Sequence, residues 1–117
     1  MTQQQATGGS LLMDCLIGLG AYKGFGVPGE SYLAVLDAMY DRADKFELIL
    51  CRHEGGAAYM AEAWGKLTGT PGICFVTRGP GATNASIGIH TAMQNSSPML
   101  VFVGQVGTDM RGREAFQ

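Results

Sequence analysis

Two stretches of this chain share one design, and together they leave few folds open. Leu50-Cys51-Arg52-His53-Glu54-Gly55-Gly56-Ala57-Ala58 carries an apolar run to a single acid, followed by two glycines and an alanine-rich helical pattern. Ile73-Cys74-Phe75-Val76-Thr77-Arg78-Gly79-Pro80-Gly81-Ala82-Thr83-Asn84 repeats the plan with a Gly-Pro-Gly turn. Short continuous apolar runs between turn signals read as strands buried on both faces. Strands alternating with crossovers of helical length pair in parallel, so the expected fold is α/β, an open doubly wound parallel sheet flanked by helices. In such sheets ligands sit at the carboxyl ends of the strands. Glu54 is therefore expected to be buried and to face a pocket walled by the second turn.

The rest of the chain fits the alternation. Leu12, Cys15, Leu16 and Leu19 form a helical stripe from Gly8 onward, with Ser10 as its cap and Gly18 and Gly20 ending it. Tyr22 to Val27, closed by Pro28-Gly29, is the weakest strand, because glycine gives a strand nothing to pack. Glu30 and Ser31 open a second helix with Leu33, Leu36, Met39 and Tyr40 on its apolar face, and Glu47 to Cys51 reads as a buried strand. A third helix carries Ala57, Met60, Ala61, Trp64 and Leu67, with Trp64 placed in the core. Gly72 to Thr77 is a strand, and a fourth helix beginning near Thr83 or Asn84 presents Ala85, Ile89, Ala92 and Met93. Met99 to Val103 is continuously apolar and expected to be covered on both faces. Residues 1–7 read as a disordered N-terminus and residues 8–117 as one domain. Gly107 to Gln117 lacks an apolar period, so the domain reads as incomplete at its C-terminus.

Composition narrows the partners. The chain of 117 residues is 46% hydrophobic and 15% charged, where soluble chains carry about a quarter charged residues; strands covered on both faces, or a surface that meets a partner, would account for this. The formal charge of −2 comes from interspersed acids and bases without a basic stripe, so nucleic acid is not an expected partner. Cys15, Cys51 and Cys74 form no CxxC pair, which favours a reduced cytosol. His53 and His90 lie far apart without neighbouring ligands at metal-site spacing, and no metal site is expected. No apolar stretch is long enough for a membrane span, and Met1-Thr2-Gln3-Gln4-Gln5 lacks the basic start and apolar run of a signal peptide. The expected location is cytoplasmic.

The Gly79-Pro80-Gly81 turn follows a strand and opens a helix, as nucleotide fingerprints do, but Asn84 stands where a dinucleotide turn wants a third small residue. No Lys-Ser/Thr pair follows, so a phosphate loop fails as well. The turn either brings backbone near a ligand or simply connects. For Glu54 two readings stand: a macrodipole partner or cap at a helix start, or a buried carboxylate suited to proton work, with Gly55 and Gly56 leaving room beside it. Arg52 and His53 read as packing or salt-bridge residues.

The run Arg52-His53-Glu54-Gly55-Gly56-Ala57-Ala58, then Lys66-Leu67-Thr68-Gly69, Gly72-Ile73-Cys74, Thr77 to Asn84, Gly104-Gln105-Val106 and Ala115-Phe116-Gln117 resembles the pyrimidine-binding domain of thiamine diphosphate enzymes of the acetolactate synthase type. The likeness runs from about Gly8 onward and includes Phe25-Gly26-Val27-Pro28-Gly29-Glu30, with Gly24 departing from the more apolar residue usual there.

The resemblance implies that Glu54 hydrogen-bonds the ring nitrogen of the cofactor's aminopyrimidine. Proton sharing there favours the imino tautomer, whose exocyclic nitrogen takes the proton from the thiazolium carbon, and such acid–base work needs a group within hydrogen-bond reach. It also implies that Pro28, Gly29, Gly79, Pro80, Gly81 and Asn84 lie around the pyrimidine, and Phe116 and Gln117 along the substrate channel. The magnesium ion and diphosphate belong, in this family, to a later domain with a Gly-Asp-Gly motif that does not occur here. Some relatives also bind FAD, and no residue of this chain decides that point. The resulting expectation is a pyrimidine-side module of a 2-oxo acid decarboxylase or carboligase, inactive alone. It would be homo-oligomeric and completed by a diphosphate-binding domain from a missing segment or another chain. The alternatives are a separately encoded subunit of a two-chain decarboxylase and a non-catalytic binding or assembly module of the same fold.

Overall fold

The computed structural model describes residues 6–117. Strands β1 (Lys23–Gly26), β2 (Glu47–Leu50), β3 (Gly72–Val76) and β4 (Met99–Val103) form one parallel sheet in the order β2-β1-β3-β4. Helices α1 (Gly8–Gly18), α2 (Leu33–Tyr40), α3 (Glu54–Thr68) and α4 (Pro80–Asn95) alternate with them. Residues along β3 alternate between faces, as the strand pleat requires. Ile73 and Phe75 meet Met13 and Leu16 of α1, Met39 of α2 and Phe46, whereas Cys74 and Val76 meet Ala57, Ala58 and Ala61 of α3 and Ala85 of α4. The sheet is thus covered by α1 and α2 on one side and by α3 and α4 on the other, the expected doubly wound arrangement.

The glycine-weakened β1 is an interior strand. Its glycines stand where neighbours approach closely: a Cβ on Gly24 would stand 2.9 Å from the Phe46 ring, and one on Gly26 would stand 2.6 Å from the Phe75 carbonyl. Phe75 stacks on Phe102 at 5.0 Å and on Tyr32 at 6.3 Å, with Phe46 edge-on at 6.3 Å. Large rings supply the packing that the glycines give up.

Several expected faces are displaced. The buried residues of α1 are Gly9, Met13 and Leu16, while Cys15 and Leu19 face solvent. Its cap is Thr7, whose hydroxyl oxygen accepts the Ser10 amide at 3.0 Å. Thr7, the last residue of the stretch expected to be disordered, is thus the helix cap, and Met1 to Gln5 lie outside the described residues. The second helix starts with a 3-10 turn, Glu30–Tyr32, and buries Tyr32, Ala38 and Met39, leaving Leu33 and Tyr40 exposed. Strands β2 and β4 are the sheet edges: Leu48 and Phe102 pack on one face and Ile49, Met99 and Val101 on the other, but the cover is partial and Leu50, Leu100 and Val103 are exposed.

Helix α4 starts at Pro80, earlier than expected, because proline at the first helical position has the right φ and needs no amide partner. It buries Gly81, Ala85, Gly88 and Ala92, and α3 buries Gly55, Ala57, Ala58, Ala61, Glu62 and Gly65. Ile89, Met93, Met60 and Leu67 point outward. Trp64 is only partly buried, its ring 5.6 Å from Tyr22 and 6.1 Å from Phe25. Among the described residues, Gly107 to Gln117 form one 3-10 turn, Thr108–Met110, and irregular chain.

Candidate functional site

The connection from β1 runs outward to β2 over one face, and that from β3 runs outward to β4 over the other. The two connections therefore part at the carboxyl ends of these paired strands, where an open α/β sheet forms its crevice. Val27-Pro28-Gly29 leaves β1 and Thr77-Arg78-Gly79 leaves β3. The two turns touch: any side chain on Gly29 would overlap the Thr77 methyl, and one on Gly81 would overlap the Thr77 hydroxyl. That same Cβ on Gly81 would stand 3.4 Å from Oε1 of Glu54. Glycine at 29 and 81 is what lets these backbones and the carboxylate converge.

Glu54 is the first residue of α3 and is partly buried, less enclosed than expected. The cap before it is His53, whose Nδ1 accepts the Gly55 amide at 3.0 Å, so this nitrogen carries no proton. Arg52 is exposed. Asn84 Nδ2 donates to Oε2 of Glu54 at 2.9 Å and holds that oxygen. Oε1 accepts no hydrogen bond among the described residues and faces Gly81.

Behind the crevice, the Tyr32 hydroxyl donates to the Val27 carbonyl and holds the approach to Pro28-Gly29. Burial, then the neighbouring Cys74 and the Glu54 carboxylate, push the Tyr32 phenol up to about 12, so it remains a donor. Burial likewise pushes the Cys74 thiol up to about 12, with Cys51 and Glu54 adding to it.

The structure brings Gly29, Glu54, Gly81 and Asn84 together. Gly79, with φ of +47°, is the residue before α4, and the position of a Cβ there lies 3.2 Å from the Gln117 carbonyl. Pro28, Pro80 and Phe116 are exposed at the rim. Arg78 was not singled out by the sequence, yet it is buried and spans the rim: its Nε donates to the Phe116 carbonyl at 2.7 Å and a terminal nitrogen to Glu30 at 2.8 Å. Thr77 and Tyr32 were missed too. Thr77 sits inside the turn motif itself, whereas nothing local to Tyr32 or Arg78 signals a role.

An apolar hollow of about 220 Å³ lies near the amino ends of the strands between Leu16, Tyr22, Trp64, Ile73 and Leu100. Its one charged group, Lys23, is paired with Glu47 at 2.9 Å. No group of three His, Cys, Asp or Glu side chains able to hold a metal comes together among the described residues. A carboxylate with one oxygen free of hydrogen bonds among the described residues suits a polar ring nitrogen, and with no second acid beside it does not suit a metal–diphosphate group.

A parallel sheet with an acid at its switch point and glycine turns around it defines a cofactor-binding α/β domain. Residues 6–117 match the family described as thiamine pyrophosphate enzyme, N-terminal TPP binding domain, and the chain belongs to that family. It is 44% identical over 111 residues to the mitochondrial acetolactate synthase catalytic subunit of Aspergillus candidus, covering 95% of this chain and 16% of that one. It is 43% identical over 115 residues to the acetolactate synthase large subunit of Pyropia yezoensis, covering 97% and 20%. With the acetolactate synthase of Bacillus subtilis it shares 44% identity over 99 residues, covering 85% and 17%. The chain thus spans a fifth or less of the length of these relatives. No helix among the described residues is long and apolar enough to cross a membrane.

Proposed function

We propose that this chain holds the aminopyrimidine of thiamine diphosphate and is the pyrimidine-side half of an acetolactate synthase-like site acting on a 2-oxo acid. The observation that carries this reading is the Glu54 carboxylate, fixed through Oε2 by Asn84 and free at Oε1 over the Gly81 backbone. When bound, the cofactor supplies the carbon nucleophile and the electron sink for loss of carbon dioxide. The chain's part is to orient Oε1 toward a ring nitrogen and to share a proton there. Asn84 holds one carboxylate oxygen, and the glycines at 29 and 81 let the Thr77 turn close up beside Glu54. Phe116 and Gln117 stand at the substrate side of the rim. The magnesium–diphosphate half comes from a diphosphate-binding domain, in further sequence or in another chain, and the assembly is a cytoplasmic homo-oligomer.

Glu54→Gln tests the reading, because the amide keeps the shape and loses the shared proton. Supplied with a diphosphate-binding domain in trans, the wild-type chain is expected to support pyruvate decarboxylation. The variant should lose about 10²–10⁴-fold, the usual contribution of a positioned acid or base. Equal rates for the two chains would sink the proposed role of Glu54. Absence of turnover with any such domain would favour the non-catalytic module.

A further inference from the structure

Four connections leave the carboxyl edge of the sheet, and one buried side chain ties three of them together. Arg78, 8% exposed, follows β3; its Nε donates at 2.7 Å to the carbonyl of Phe116, in the segment beyond β4. Its terminal nitrogen donates at 2.8 Å to Glu30, in the turn beyond β1. The adjacent Gly79 brings its backbone against the Gln117 carbonyl, where a Cβ would stand 3.2 Å away, and does so with φ of +47°. The fourth connection carries Glu54, linked to α4 through Asn84. Meanwhile the Phe116 ring is 71% exposed, so its segment is held by backbone contacts and not by burial of the ring. A nearly buried guanidinium bonded to two groups 48 and 38 residues away is costly to place unless both bonds form.

We propose that Arg78 is a positioning residue that fastens the Phe116-Gln117 segment over the β1–β3 crevice and so sets where the Phe116 ring stands at the mouth of the site. The planar guanidinium can serve an acceptor at Nε and another at a terminal nitrogen at fixed angles, whereas a lysine ammonium is a single point on a flexible stem. Glu30 is the outer anchor: its carboxylate is mostly exposed, and its value lies in aiming the guanidinium and not in charge pairing. The inference rests on the pyrimidine-site reading for what lies beneath the segment, not for whether Arg78 holds it.

Amide hydrogen exchange on the full 117-residue chain separates the two. In Arg78→Lys and Arg78→Ala, amides of residues 113–117 are expected to exchange about 10-fold faster, as loss of a charged hydrogen bond implies. Amides of β3 and α3 should keep wild-type protection. Glu30→Gln, at an exposed position, should give a smaller acceleration in the same segment alone. Unchanged exchange at 113–117 in folded Arg78→Ala overturns the proposal, and so does acceleration spread evenly over β3 and α3. Should Arg78→Ala fail to fold, Glu30→Gln decides: unchanged exchange at 113–117 overturns the clasp. Titration of the same chains with thiamine diphosphate is read separately. A wild-type chain that binds none, yet shows the Arg78-dependent exchange, refutes the cofactor reading and leaves the clasp standing.

Discussion

Glu62 shows how a single acid can be structural, in contrast to the role proposed for Glu54. It is 7% exposed on α3, and its Oε1 accepts the Ser97 hydroxyl at 2.7 Å and the Asn95 amide at 3.0 Å. These hydrogen bonds, Ser97 first, hold its carboxyl below the usual carboxylate range. A carboxyl whose pKa is depressed by folding stabilises the fold above its unfolded value of 4.5, and that contribution disappears as pH falls through the lower, folded value. Thermal melts of wild type and Glu62→Gln are therefore expected to converge as pH drops below about 4.5; a gap of constant size would refute the linkage. Cys74 makes a second residue-scale case. Fully buried and with its thiol pushed up to about 12, it should resist iodoacetamide in the native state while exposed Cys15 reacts. Mass mapping that finds Cys74 alkylated as fast as Cys15 would contradict this burial. Glu54 was legible in sequence because a lone acid between an apolar run and paired glycines is a local pattern. Arg78 was not, because its partners are far away along the chain.

At the level of elements, strand positions could be read closely and helix faces could not. β4 matches its apolar run residue for residue, whereas the stripes assigned to α1, α2 and α4 were half right: Leu12, Leu16, Leu36, Met39, Ala85 and Ala92 face the core, but Leu19, Leu33, Tyr40, Ile89 and Met93 face outward. α3 and α4 meet through small residues, and hydrophobic periodicity gives glycine and alanine little weight. Gly88 shows the cost of ignoring them: a Cβ there would stand 2.5 Å from the Ala58 Cβ and 2.8 Å from its carbonyl carbon. Gly88→Ala must push the two helices apart, an overpacking cost of about 1–3 kcal/mol. At about 4–8 °C per kcal/mol, the melting temperature should fall accordingly, and a variant melting at or above wild type would show that the helices can shift freely. Gly24 and Gly26 teach the same lesson in β1, where they mark not weak packing but close approaches, Gly24 to the Phe46 and Phe75 rings and Gly26 to the Phe75 backbone.

For the whole molecule, the sheet ends in two parallel edges, β2 and β4, with Leu50, Leu100 and Val103 exposed along them. Open apolar edges pair with other chains, so self-association is expected. Sedimentation at micromolar concentration should reveal dimers or larger species, and a monodisperse monomer would count against it. The amino-acid sequence by itself determined the alternation of strands and helices, the parallel class of the sheet and the acid at the start of α3, because each is written in neighbouring residues. Only the tertiary structure decided which strands became edges, which helix faces turned inward and that Arg78 joins Glu30 to Phe116. Those outcomes depend on contacts between residues distant in the chain, whose pairing no local pattern encodes.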